Sequence, residues 1–147
     1  MTIKEFQNYI ATLVGEIPGI ARAGCFPVAE SDGGMVEKIN TQVAGLGLSC
    51  LIMTPDINPS ADSDMAEARR LVVAFTETPL MNRPRQGSVT ALEAACLALA
   101  MFRRDFRETV LPLRITQRAA EDGSVITCDL EVETSFELTA TDEPQEP

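Results

Sequence analysis

No histidine and no tryptophan occur among these 147 residues, tyrosine occurs once, and lysine stands only at Lys4 and Lys38. Each gap removes a class of function. Without histidine there is no Ser-His-Asp or Cys-His arrangement, because the base that would take the nucleophile's proton is missing. Aromatic residues make up only 5% of the chain, which argues against sugar stacking and against the aromatic platforms that hold single-stranded nucleic acid. Cys25, Cys50, Cys96 and Cys128 are far apart among apolar neighbours, and none forms a C-x-x-C pair. Structural zinc needs clustered Cys or His ligands, so the thiols read as buried and reduced, with no metal and no cofactor expected. No apolar run reaches the roughly 20 residues a spanning helix needs. Lys4 and Glu5 lead into an amphipathic pattern rather than an apolar block, so no leader peptide is expected and the expected location is cytoplasmic.

What is present reads as globular, with 45% apolar and 23% charged residues. The length suits a single domain over residues 1–138, followed by 139-TATDEPQEP-147. That acidic tail has no apolar anchor after Ala140 and is expected to be disordered. The formal net charge of −10 disfavours nucleic acid and anionic lipid as partners. Its distribution is uneven. Between Arg69 and Arg118 nine arginines face four acids, leaving +5 there and −15 elsewhere, and from Glu121 onward there are nine acids and no base. Such a division suits two solvated faces of opposite sign, or opposite patches that meet between identical subunits.

Thr2 and Glu5 match a capping box, and Ile3, Phe6, Ile10, Leu13 and Ile17 follow at helical spacing until Pro18-Gly19. Residues 23–29 predict a short strand that Pro27 places at an edge or limits. Ser31-Asp32-Gly33-Gly34 forms a turn before a helix carrying Met35, Ile39 and Val43 and ending at Gly45-Leu46-Gly47. Residues 48–53 predict a strand and residues 54–64 a polar loop. Asp56, Asp62 and Asp64 in that loop lack the spacing of a calcium site and read as solvated. Residues 69–78 predict a central strand. A helix then places Leu92, Cys96, Leu99, Phe102 and Phe106 on one stripe, with alanines at most other positions. Residues 113–118 and 125–138 predict a hairpin around Glu121-Asp122-Gly123-Ser124. Its second arm alternates Leu130, Val132, Thr134 and Phe136 with Glu131, Glu133, Ser135 and Glu137, a half-exposed strand with an acidic outer face. The element order predicts an α+β fold, a mostly antiparallel sheet with helices packed on one face, as a single-domain two-layer sandwich.

The stretch between the central strand and the last helix has the layout of a phosphate-binding loop but not its chemistry. Gly87 stands alone, no Lys follows it, and Pro79 and Pro84 each remove an amide donor. Thr90 with Glu93 matches a capping box instead. The residues left are Glu77, Pro79, Leu80, Met81, Asn82, Arg83 and Arg85. Two prolines stiffen the loop, and its amide and arginines offer donors to carboxylates or carbonyls. It reads either as a surface loop whose arginines touch only water or as a preorganised protein-contact loop, with Glu131, Glu133 and Glu137 as the acidic strand it could engage on a neighbouring copy. No catalytic set is evident and no enzyme is expected.

At this loop the chain resembles the small phage and prophage proteins that complete the tail or join it to the head. The matching features are the N-terminal helix closing on Ile17-Pro18-Gly19-Ile20 and the E-x-P-x-x-N-R pattern of Glu77, Pro79, Asn82 and Arg83. The Gly87-capped helix through Phe102 and the final hairpin follow in the same order. The resemblance implies a tail-terminator-like structural protein without catalysis, assembling as a ring with itself and with other tail or connector proteins, and located in the virion after assembly. A stand-alone regulatory or small-ligand-binding α+β module is the other reading; it should be monomeric or dimeric and hold a sizeable pocket.

Overall fold

The structure, a computed structural model, describes residues 2–22, 26–59, 66–80, 82, 89–105 and 110–138. Among the described residues, four helices and six strands follow one another as α1 (Ile3–Gly15), α2 (Pro18–Arg22), β1 (Val28–Ala29), α3 (Met35–Leu46), β2 (Leu48–Ile52), β3 (Asp56–Pro59), β4 (Ala66–Glu77), α4 (Ala91–Asp105), β5 (Val110–Ala119) and β6 (Ile126–Leu138). The strands join one sheet in the order β1-β2-β4-β6-β5, with β3 also on β4. Only β1 and β2 run parallel; the other pairs are antiparallel. This is the α+β architecture that the sequence predicts. Among the described residues no helix is long and apolar enough to cross a membrane.

The local signals hold at most boundaries. Thr2 accepts from the Glu5 amide at 3.1 Å and Glu5 returns a bond to the Thr2 amide at 2.9 Å, so the capping box starts α1. Gly47 ends α3 and Gly123 turns the β5–β6 hairpin, both with φ near +73°, the region glycine enters without a Cβ clash. The short strand predicted after residue 23 is β1, an edge strand beginning straight after Pro27.

Three expectations are corrected. Pro18 does not simply end a helix: α1 stops at Gly15 and Pro18 opens the short α2, where a missing N–H costs nothing. Part of the predicted 54–64 loop is strand β3, lying against the first half of β4 while β2 lies against the second. Asp56 therefore stands in register with Arg70; Asp62 and Asp64 lie outside the described residues. The third concerns α4. Its buried face is Ala91, Ala94, Ala95, Ala98, Met101 and Phe102, whereas Leu92 is 43% exposed and Cys96 is exposed. Small side chains bring this helix close to the core. Of the predicted stripe, Phe102 is buried and Leu99 packs against the core, Leu92 and Cys96 are left outside, and Phe106 lies outside the described residues.

The core is one cluster. Phe6, Ile10 and Val14 of α1 and the buried face of α4 meet Leu48, Cys50 and Ile52 of β2, Leu71, Val73 and Phe75 of β4, and Cys128, Leu130 and Val132 of β6. A fully buried side chain of the Phe or Leu kind contributes roughly 1.5–3 kcal/mol. In β4 both Ala68 and Leu71 are buried, although three residues apart they would face opposite sides of a regular strand. A shift of register against β3 explains this: Asp56 pairs with Arg70 but the next residue, Ile57, pairs with Ala68, so β4 holds one extra residue there. The bulge turns Arg69 and Arg70 outward together, and the Thr134 hydroxyl donates to the Ala68 carbonyl at 2.5 Å within the irregularity.

Candidate functional site

The turn after β4 is built around a buried carboxylate. Glu77, the last residue of β4, is 5% exposed, and Asn82 is 4% exposed. Asn82 Nδ2 donates to Glu77 Oε2 at 2.5 Å and to the Val89 carbonyl at 2.8 Å. Glu77 Oε1 accepts the Ala91 amide at 3.2 Å, the first N–H of α4, where the helix dipole favours negative charge. Thr90 caps the same helix by accepting the Glu93 amide at 3.1 Å. Two backbone bonds complete the turn, Asn82 N to Thr78 O at 3.0 Å and Thr78 N to Gly47 O at 2.7 Å. Among the described residues Asn82 Oδ1 is buried with no hydrogen-bond partner.

Glu77 and Asn82 thus face inward, which corrects the expectation that they meet a partner. They tie the strand end, the far side of the loop and the helix start together, so both Glu77 oxygens and Asn82 Nδ2 are engaged within the chain. Pro79 and Leu80 lie outside this latch, and Leu80 is 87% exposed. Arg83, Arg85 and Gly87 lie outside the described residues, as does the 139–147 tail.

Of the acidic strand, Glu131 is engaged within its own chain. Glu131 keeps 13% side-chain exposure between two guanidinium groups, Arg114 of β5, which donates to Oε2, and Arg70 of β4 at 3.5 Å from Oε1. Arg118 Nη2 lies 2.8 Å from Asp129 Oδ2. The hydrogen bond from Arg114 holds the Glu131 carboxyl below the ordinary glutamate range, burial opposes it, and the charges of Arg114 and Arg70 reinforce the lowering. Part of the charge complementarity expected between copies is therefore satisfied within one chain. Glu133 is exposed on β6; Glu137 is in register with Glu67 and its side chain is outside the described set.

Sequence reasoning missed a hollow of about 580 Å³ where the segment before β1 passes the first turns of α3. Phe26, Pro27 and Val28 supply its apolar wall, and Asp32, Glu37 and Lys38 its charged rim. Gln42 of α3 holds the two sides together, donating to the Phe26 carbonyl at 2.7 Å and accepting the Cys50 amide at 3.3 Å. A side-chain amide thereby extends the ladder between β2 and the segment preceding β1. Phe26 is 63% exposed beside this hollow. An exposed aromatic ahead of proline was the available signal. No family model matches the chain, and no curated protein matches it.

Proposed function

We propose that this chain is a non-enzymatic structural assembly protein of the tail-terminator kind, its helices layered over one face of the sheet, which self-associates as a ring through the turn at residues 77–85. Other tail or connector proteins are its further partners in a virion. The observation that carries this reading is Leu80, 87% exposed on a turn anchored from beneath by the Glu77–Asn82 latch. An exposed leucine on a rigid support loses little conformational freedom on docking, which favours binding. The identity of the assembly rests on the resemblance in the Glu77, Pro79, Asn82 and Arg83 pattern.

Mass by light scattering tests it, over a range of protein concentration at low and high salt. The expected result is a concentration-dependent oligomer that weakens in high salt and is lost in the Arg83→Glu/Arg85→Glu variant. A monomer under every condition, unchanged by these substitutions, would overturn the self-association reading. The hollow of about 580 Å³ favours the second reading, a small-ligand-binding module, which predicts that same monomer.

A further inference from the structure

The hollow beside β1 and the turn after β4 are both exposed and both apolar, and the sequence that follows the turn is opposite in charge to the hollow's rim. We propose that the hollow receives the Pro79-Leu80 turn of a second copy, head to tail. This rests on the reading of the turn as a contact loop and adds the surface it meets.

The apolar match is Leu80, 87% exposed on one side, and the Phe26-Pro27-Val28 wall on the other. The volume, about 580 Å³, lies within the range of roughly 300–1,000 Å³ typical of pockets that take a compact group. Charge selects the occupant. The rim carries Asp32, Glu37 and Lys38, and the lysine amine lies 3.9 Å from Asp32, so one negative charge is in excess. The sequence from Thr78 to Leu92 has no acid and two arginines, Arg83 and Arg85, which enter here as charge only. An apolar group followed by cations fits an apolar hollow rimmed by acids.

Geometry makes the contact heterologous. Glu77, which leads into the turn, pairs with Leu48 at the start of β2, whereas β1 pairs with Leu51 and Ile52 at its end. Turn and hollow are separate patches of one chain. Each copy can therefore give one contact and take one, which closes a ring if the rotation allows and otherwise grows a filament.

Gly33 provides a clean variant. It lines the hollow, a Cβ added there meets nothing within 4 Å, and its φ lies outside the left-handed region, so Gly33→Trp obstructs the site without straining the backbone. Leu80→Glu removes the inserted group instead. At a concentration where the full-length wild type associates, each variant alone is expected to run at the monomer mass in sedimentation velocity. A 1:1 mixture is expected to form a species of twice that mass and no larger, because one intact turn then faces one intact hollow. Circular dichroism checks that both variants are folded. If Leu80→Glu abolishes association while Gly33→Trp leaves it intact, or if the mixture stays monomeric, the hollow is not the receptor and the turn remains a contact loop with another target. If neither substitution alters the wild-type oligomer, the turn itself is not the contact and both proposals fall.

Discussion

Asn82 Nδ2 lies 2.5 Å from Glu77 Oε2, and both residues are almost completely buried. Removing the donor leaves one carboxylate oxygen without it, which costs about 1–3 kcal/mol. Asn82→Ala should lower the unfolding free energy by that order in urea titration. Asn82→Asp should cost more at neutral pH, since two carboxylates then share the site and one must take up a proton to relieve the repulsion. The gap between Asn82→Asp and wild type should narrow as pH falls from 7 to 5, because the protonated form regains an O–H donor. A gap independent of pH would contradict the latch.

Gly19 permits α2 to lie close to α4. A Cβ there would stand 3.0 Å from Leu97 Cδ1 and 3.1 Å from Val89 Cγ1. Leu97 can swing its exposed end aside, whereas buried Val89 is stiff at χ1. Gly19→Ala should therefore destabilise, by about 1 kcal/mol at the low end of overpacking costs. Denaturant midpoints of the two proteins, at unchanged slope, measure it.

The Glu131 carboxyl is lowered mainly by its hydrogen bond from Arg114. Since the folded value lies below the unfolded one, its contribution to stability is complete above the unfolded value, about 4.3. That contribution is lost as pH falls through the lowered folded value. Carbon-13 titration should place the Glu131 midpoint below the ordinary glutamate value of about 4.3, and Arg114→Ala should move it up, less than fully, because Arg70 remains.

Cys50 and Cys128 are fully buried, while Cys96 is exposed on α4. Burial pushes the Cys128 thiol up, and the negative charge of Glu77 adds to it, followed by Asp129 and Cys96. Iodoacetamide on the folded protein should modify Cys96 and spare Cys50 and Cys128 until urea unfolds the chain. Peptide-level mass spectrometry distinguishes these sites from Cys25.

Gln42 bridges the Phe26 carbonyl and the Cys50 amide. Gln42→Leu keeps the volume and removes both bonds, so a loss of about 1–3 kcal/mol is expected, together with faster amide exchange at Cys50. Normal exchange there would show that the ladder stands without the side chain.

Much of the scaffold was legible because its signals are local. The Thr2–Glu5 box, the Thr90 cap, the glycine after α3, the hairpin turn at Gly123 and the alternation from Leu130 to Thr134 act between residues a few positions apart. The α+β class and the edge position of β1 follow from them. What the sequence could not decide depends on pairs far apart in the chain. The inward orientation of Glu77 is settled by the amide of Ala91, fourteen positions away. The Ala face of α4 is buried because the sheet lies there, and Arg69 and Arg70 point outward together because β4 holds one extra residue in its register with β3. Asp129 and Glu131 of β6 meet arginines of β4 and β5 in their own chain. Periodicity and capping are interactions along the chain; burial and ion pairing are interactions across it, and only the tertiary structure chooses their partners.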